Sequence, residues 1–393
     1  MKKIGVLFGM ENTFPSALVD KINAMEIEGI RAEFVCVGGV PMAEPSGYAV
    51  IVDRISHDMP FYRSFLKNAV LTGTQVINNP FWWSADDKFF NFALAHKLGV
   101  AVPKTVLLPH KKYPPQINER SLRNLQFPLD WDSIFDYIGF PAFLKPHDGG
   151  GWRDVHHVHN RDEFFHAYDH TRDLCMTLQA AVNFKEYFRC YVVGQSEVRI
   201  MPYDPRRPHE HRYVLASPGE TAPEYDSKLL KRVEKDALTL CKALGYDLNT
   251  VEFAVEDGIP YAIDFMTPAP DADLHSVGKE SFDWIVDKVA NLAMKKAQNP
   301  IKPELHWAAF LEGVPVSFAY APWRSARWFD VSIDTLPEAR QLGLGRLVAT
   351  AMIRDERAQG REPVWGADEG NLASLQLAHA LGFMKVDELW VAA

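Results

Sequence analysis

Two short apolar runs, VEFAV at 251–255 and IPYAIDF at 259–265, are separated only by EDG. A short polar link ending in glycine predicts a tight turn, so the pair reads as a β-hairpin. Each strand carries one carboxylate, Glu252 and Asp264, twelve residues apart. Even spacing on paired strands can bring both to one face of the sheet. Val251 and Phe253 flank the first, Ile263 and Phe265 the second. A carboxylate among apolar neighbours calls for a specific partner, because burying an isolated charge is costly. Two carboxylates bridged by phosphate oxygens suit Mg²⁺. The alternative is two ordinary acids on a solvated face.

Upstream lie the cations that a nucleotide triphosphate requires. Lys88 opens a helix expected over 86–98 and closed by Gly99. Lys145 ends the short strand PAFLKP, and the loop HDGGGWRDV follows, with Asp148, Gly149, Gly150 and Gly151. Glycines let backbone amides approach phosphate oxygens. Taken alone, the glycine run is a flexible loop and Lys145 a solvated lysine. The histidines at 147, 156, 157, 159, 166 and 170 fit no metal-ligand spacing and read as a solvated or substrate-facing stretch.

Alternating strand and helix patterns predict a small α/β domain over 1–80. Residues 110–135, rich in Pro, Asn and Gln, read as a loop or insertion. FRCYVVGQSEVRI at 188–200 reads as a hairpin turning at Gly194-Gln195. Leu230, Val233, Ala237, Leu240 and Leu244 mark an amphipathic helix closed by Gly245. AQNPIKPE at 297–304 reads as a linker. Beyond it, strands are expected at 307–311, 314–321, 328–334, 363–367 and 383–391, with helices at 344–358 and 371–381.

A net charge of -9 argues against general binding to nucleic acid or anionic membrane. The four cysteines, at 36, 175, 190 and 241, form no CxxC pair, so neither a disulfide framework nor a zinc site is signalled. The first residues hold too short an apolar run for a signal peptide, and no run approaches a membrane span. The expected location is the cytoplasm.

The order Lys88, Lys145 with its glycine loop, Gln179, Arg189, Glu252 and Asp264 resembles the ATP-grasp superfamily, nearest its glutathione synthetase and ribosomal-protein-modifying ligase branch. The resemblance covers about 80–295 and implies an α+β domain of two subdomains over 81–296, gripping Mg-ATP between them. It implies that Lys88 and Lys145 contact ATP phosphates and that the loop from Asp148 through Gly149, Gly150 and Gly151 closes over them. LQAAV at 178–182, with Gln179, Ala180 and Val182, is similar to the segment that links the subdomains and bonds adenine through its backbone. Glu186 resembles the acid that contacts ribose. Arg189 and Arg199 resemble arginines that steady the transferring phosphoryl group, and Glu252 and Asp264 the metal-holding acids.

The implied activity is ATP-dependent joining of a small-molecule carboxylic acid to an amine, an amino acid or peptide, through an acyl phosphate. A homo-oligomer is compatible with this. One position departs from the family pattern. Met266 stands where the family has asparagine, and a thioether is a poor ligand for Mg²⁺. Thr267, a water or Asp271 would have to compensate. The alternative is therefore an ATP- or acyl-CoA-binding regulatory protein with weak or no ligase activity.

At the C-terminal end, RQLGLG at 340–345 follows an expected strand and opens a helix. Successive amides at a helix N-terminus suit a pyrophosphate. Asn371 and Ser374 then start a second helix. In this order the motifs resemble the GNAT acetyltransferase family over about 306–393, as a partial α/β module at 305–393. The resemblance implies acetyl-CoA as a further cofactor, with Arg340, Gly343 and Gly345 at its pyrophosphate and Asn371 and Ser374 along its arm. The first strand and acceptor helices of that family have no room here, and no tyrosine follows Tyr320. An N-acetyltransferase, an acyl-CoA-binding module and a purely structural remnant all remain open.

Overall fold

The computed structural model describes residues 1–148, 153–214, 224–299 and 307–387. It divides into two compact units, Met1–Pro300 and Ile301–Ala393. Gly149, Gly150 and Gly151 of the expected phosphate loop and positions 300–304 of the expected linker lie outside the described residues.

The first unit begins with β1 (Lys2–Leu7), α1 (Phe14–Ala24), β2 (Ile30–Phe34), β3 (Val50–Asp53), α2 (Pro60–Leu71), β4 (Gln75–Ile77) and the short α3 (Pro80–Trp83). The strands form one parallel sheet in the order β2-β1-β3-β4. A parallel sheet is covered on both faces, and every residue of β3 is buried accordingly.

Next come α4 (Lys88–Lys97), β5 (Thr105–Leu108), α5 (Trp131–Ile138), β6 (Ala142–Pro146), β7 (His156–Val158), α6 (Arg161–His170) and β8 (Met176–Ala180). These strands form a sheet in the order β5-β8-β6-β7. Phe135 and Ile138 of α5 and Phe164 and Tyr168 of α6 share a core with Leu108, Leu144 and Leu178 of the sheet. Helix α5 begins inside the stretch expected to be a loop. The Asp130 side chain accepts from the Ser133 amide at 3.1 Å and starts it. The polar composition upstream masks that cap in the sequence.

A third sheet, ordered β10-β9-β11-β12, holds β9 (Glu186–Val193), β10 (Glu197–Pro202), β11 (Leu248–Glu256) and β12 (Ile259–Asp264). Helix α7 (Ser227–Leu244) lies between β10 and β11 in the chain and ends at Gly245 in the left-handed region, while α8 (Leu274–Val277) and α9 (Lys279–Gln298) close the unit. One face of this sheet, with Phe188, Cys190, Val251 and Phe253, packs on Val233, Ala237 and Leu240 of α7. Tyr191, Leu248 and Ala254 of the opposite face share a core with Phe14 and Leu18 of α1 and Ile285 and Val289 of α9. Asn78 ties the first sheet to this one. Its side-chain amide donates to the Leu248 and Pro268 carbonyls at 2.6 and 2.8 Å and accepts from the Leu248 amide at 2.8 Å.

The second unit holds β13 (Trp307–Leu311), β14 (Val314–Tyr320), β15 (Trp328–Asp330), β16 (Ser332–Thr335), α10 (Leu344–Arg357), β17 (Glu362–Val364) and α11 (Leu372–Ala380). Strands β13, β14 and β16 are antiparallel neighbours, and β15 pairs with β17 in parallel. The single strand expected at 328–334 is therefore broken at Val331, whose amide donates to the Val364 carbonyl at 3.0 Å. The last expected strand does not form over 383–387, and 388–391 lie outside the described residues. Among the described residues no helix is long and apolar enough to cross a membrane.

Candidate active site

Glu252 and Asp264 are register partners on β11 and β12. Their pairing depends on an irregularity. Asp257 and Gly258 form the turn, both with positive φ, and regular counting from it would set Ile263 opposite Glu252. The ladder shifts between Glu252 and Phe253, and this bulge puts Asp264 there instead. A one-residue slip moves a side chain to the other face of a sheet. With this two-residue turn, even spacing alone would set Asp264 on the other face, and the bulge is what brings it beside Glu252.

On its other side Glu252 partners Arg189 of β9, so Arg189, Glu252 and Asp264 form a row across three strands. Arg189 Nη1 lies 3.7 Å from Glu252 Oε1, and Nη2 donates to Thr250 Oγ1 at 3.3 Å. The Tyr203 and Tyr213 rings lie 5.3 and 5.7 Å from the guanidinium. Burial works against its charge, but Tyr213 and Glu252 outweigh that effect and raise its pKa. Tyr187 Oη donates to Glu252 Oε2 at 2.6 Å. Burial first, and Glu252 second, push that phenol well above its ordinary range.

The two lysines reach the row from other elements. Asp87 caps α4 by accepting from the Phe90 amide at 2.8 Å, which sets Lys88 in the first turn. Lys88 Nζ donates to Asp264 Oδ2 at 3.0 Å. Its own amide donates to the His147 carbonyl at 2.8 Å, joining α4 to the segment after Lys145. Lys145 is buried, lies over the Phe92 ring at 5.0 Å and donates to Gln179 Oε1 at 2.8 Å. Burial, then the charge of Lys88, lowers its pKa to about 8. Burial would raise the pKa of Asp264, but Lys88 and Lys145 hold it below the ordinary range.

Other expected residues fall around this centre. The Gln179 side chain spans Lys145 and Thr105 Oγ1, donating to the latter at 3.0 Å. The Ala180 amide is bonded to the Lys104 carbonyl at 2.9 Å, and Val182 packs against the core beneath α1 and α9. Glu186 is the first residue of β9, half-exposed and in register with Val255. Asp148 is exposed, its carboxylate 3.7 Å from His147 Nδ1. Arg199 is turned away from the row: Nε donates to Ser281 Oγ at 3.0 Å and Nη2 lies 2.9 Å from Glu280, at the start of α9.

Sequence reasoning missed Tyr187, Thr105 and Asn249. The buried Asn249 donates to the Phe265 carbonyl at 2.7 Å and accepts from the Thr267 amide at 3.0 Å. It clamps the backbone on both sides of Met266, whose side chain packs against the core under α7. A lone asparagine inside the apolar run LNTVEFAV was the available signal. Two oxygen ligands and two ammonium groups fit a Mg²⁺–triphosphate pair, since Mg²⁺ commonly takes one or two carboxylates and completes its sphere with phosphates and water. Among the described residues no group of three His, Cys, Asp or Glu could hold a metal by itself.

In the second unit Gly343 is the N-cap of α10, with φ 78° and no side-chain cap. The Gly345 environment does not demand glycine, because an added Cβ would meet its neighbours at 3.5 Å or more. Arg340 Nε donates to the Thr335 carbonyl at 3.3 Å. Asn371 caps α11 by accepting from the Ser374 amide at 3.1 Å, and Ser374 Oγ accepts from Trp365 Nε1 at 3.0 Å. Both thus have structural work within the fold.

Residues 308–391 match the family described as GNAT acetyltransferase. A D-alanine–D-alanine ligase of Clostridium botulinum is 26% identical over 164 residues, 38% of this chain and 50% of that protein. The chain spans about half the length of the curated relatives it matches. Among solved structures, the ATP complex of the Bacillus anthracis D-alanine–D-alanine ligase gives a TM-score of 0.51 at 17% identity, covering 76% of this chain and 98% of that one. The VanG D-Ala:D-Ser ligase of Enterococcus faecalis gives 0.54 at 16%, covering 75% and 99%. A RimK domain ATP-grasp protein of Sphaerobacter thermophilus gives 0.51 at 15%, covering 76% and 100%. The first unit has the ATP-grasp fold, and the same chain continues into a segment matching the GNAT acetyltransferase family.

Proposed function

We propose that the first unit is an ATP-dependent carboxylate–amine ligase that works through an acyl phosphate. The observation that carries this reading is the row Arg189–Glu252–Asp264 with Lys88 and Lys145 converging on it. The names of the relatives favour an amino acid or peptide as substrate. One carboxylate oxygen of the acid attacks the γ-phosphorus, and the bond to ADP breaks. The amine then attacks the acyl carbon, inorganic phosphate leaves and the amine loses a proton. Lys88 and Lys145 bind phosphate oxygens, and Arg189 stabilises charge on the transferring group. Glu252 and Asp264 hold Mg²⁺, which neutralises phosphate charge when bound. Tyr187 and Asn249 keep the two carboxylates in place. No general base is required, because positioning and charge do most of the work.

Met266 favours a second reading, a nucleotide-binding protein with weak turnover, because its side chain packs into the core. The second unit bears on a third, in which acetyl-CoA donates an acetyl group to an amine. The test is ADP release on incubation with Mg-ATP and amino-acid or peptide mixtures, with and without acetyl-CoA. Ligase activity gives sustained ADP release only when acid and amine are both present, and isotopic oxygen from the acid appears in the released phosphate. ADP release that no acid or amine changes would rule it out.

A further inference from the structure

The bond between Lys88 and Asp264 joins a residue proposed to bind phosphate to one proposed to bind metal. Lys88 Nζ donates to Asp264 Oδ2 at 3.0 Å, and the two side chains are 11% and 35% exposed. The second carboxylate is engaged as well, through Tyr187 at 2.6 Å and Arg189 at 3.7 Å. Both metal-facing acids are therefore bonded to the protein's own donors. The charges around them are mixed: Lys88 and Lys145 act on Asp264, and Arg189 faces both Glu252 and Asp271. A bare divalent cation entering here meets carboxylate oxygens already engaged by Lys88, Tyr187 and Arg189. A triphosphate changes this, because its oxygens give Lys88 another partner and its negative charge draws the metal.

We infer that the Lys88–Asp264 pair is a latch that makes metal binding conditional on nucleotide. Without nucleotide, Lys88 closes the Asp264 oxygen to metal. With nucleotide, Lys88 transfers to phosphate and Asp264 becomes a ligand. Thermodynamic linkage requires the reverse coupling too, so metal must favour the state in which Lys88 is free for phosphate. Such a latch keeps a site of only two carboxylates from filling with metal alone. This inference rests on the proposed nucleotide reading, but its test needs neither substrate nor turnover.

The test is titration of the full-length protein with Mn²⁺ alone, free Mn²⁺ being read by electron paramagnetic resonance. Removing a cation about 3 Å from a metal-binding oxygen should tighten Mn²⁺ binding by at least about tenfold in K88M. K88Q serves as a second neutral variant, and thermal unfolding checks that each variant is folded. K88R, which keeps the charge, should bind Mn²⁺ as weakly as the parent. Adding D264N to K88M should remove the gain. Equal affinities for parent, K88M and K88Q would overturn the latch. So would a gain shared by K88R, or one that survives D264N. Absence of ADP release in the activity assay would instead strike the ligase reading and leave this result unchanged.

Discussion

The hydroxyl of Tyr187 sits 2.6 Å from Glu252 Oε2, on the strand beside it and on the same sheet face. The phenol fixes which way that carboxylate points. Tyr187 is buried, so its replacement by Phe removes a charge-assisted bond and leaves the ring in place. Tyr187→Phe is expected to cost about 1.5–3 kcal/mol of stability. Urea unfolding measures this. A midpoint equal to that of the parent would show that the bond contributes nothing.

Lys145 supplies a pH signature. Its folded pKa of about 8 lies below the ordinary lysine value. Between these two values the unfolded chain binds more protons, so this group makes stability rise with pH through that window. Phosphate oxygens favour the protonated lysine and should raise its pKa on binding. Nucleotide binding near pH 8 should therefore take up a proton, and affinity should fall as pH rises above about 8. Calorimetry in buffers of different ionisation enthalpy reads the uptake. Lys145→Arg, which stays charged, should show none. Uptake of the same size in that variant would contradict the assignment.

Asn249 touches neither carboxylate, yet it holds the backbone that leads away from Asp264. Asn249→Ala leaves the Phe265 carbonyl and the Thr267 amide without this partner, at a cost of about 1–3 kcal/mol each where buried. Both stability and nucleotide affinity should drop together. Unfolding measured alongside titration with a non-hydrolysable ATP analogue checks this. Unchanged affinity in a destabilised variant would restrict Asn249 to folding.

Met266→Asn puts a hard oxygen two residues beyond Asp264, able to serve a metal there by turning out of the core under α7. The Mg²⁺ concentration for half-maximal ADP release should fall several-fold. Loss of the packed Met side chain should cost about 1–3 kcal/mol of stability. A Mg²⁺ dependence identical to the parent's would mean that position 266 does not reach the metal.

Much of this site is legible in the sequence because its elements are local. The hairpin at 251–265 is bounded by a clear turn, and Lys88 and Lys145 sit where periodicity ends a loop or a strand. What the sequence conceals is long-range. The bulge that pairs Asp264 with Glu252 leaves no mark in composition, and simple counting from the turn would have put Ile263 there. Arg199 follows strand alternation onto the right face, yet Ser281 and Glu280, distant in sequence, hold its guanidinium at α9. Gln179 lies in an apolar strand, and only the sheet β5-β8-β6-β7 shows that its side chain spans Thr105 and Lys145. Helix α5 was hidden by the polar segment before it, although Asp130 and Ser133 form a readable cap.

The central claim is that Lys145 and the carboxylate row together form a Mg-nucleotide site. Calorimetric titration of the parent, Lys145→Ala and Glu252→Gln with a non-hydrolysable ATP analogue, with and without Mg²⁺, tests it most directly. Loss of charge-assisted bonds worth about 1.5–3 kcal/mol should weaken binding about tenfold to a hundredfold in Lys145→Ala. Glu252→Gln should lose the Mg²⁺-dependent part of the affinity and keep the rest. Equal affinities for all three proteins, or binding to the parent that Mg²⁺ does not strengthen, would contradict the account.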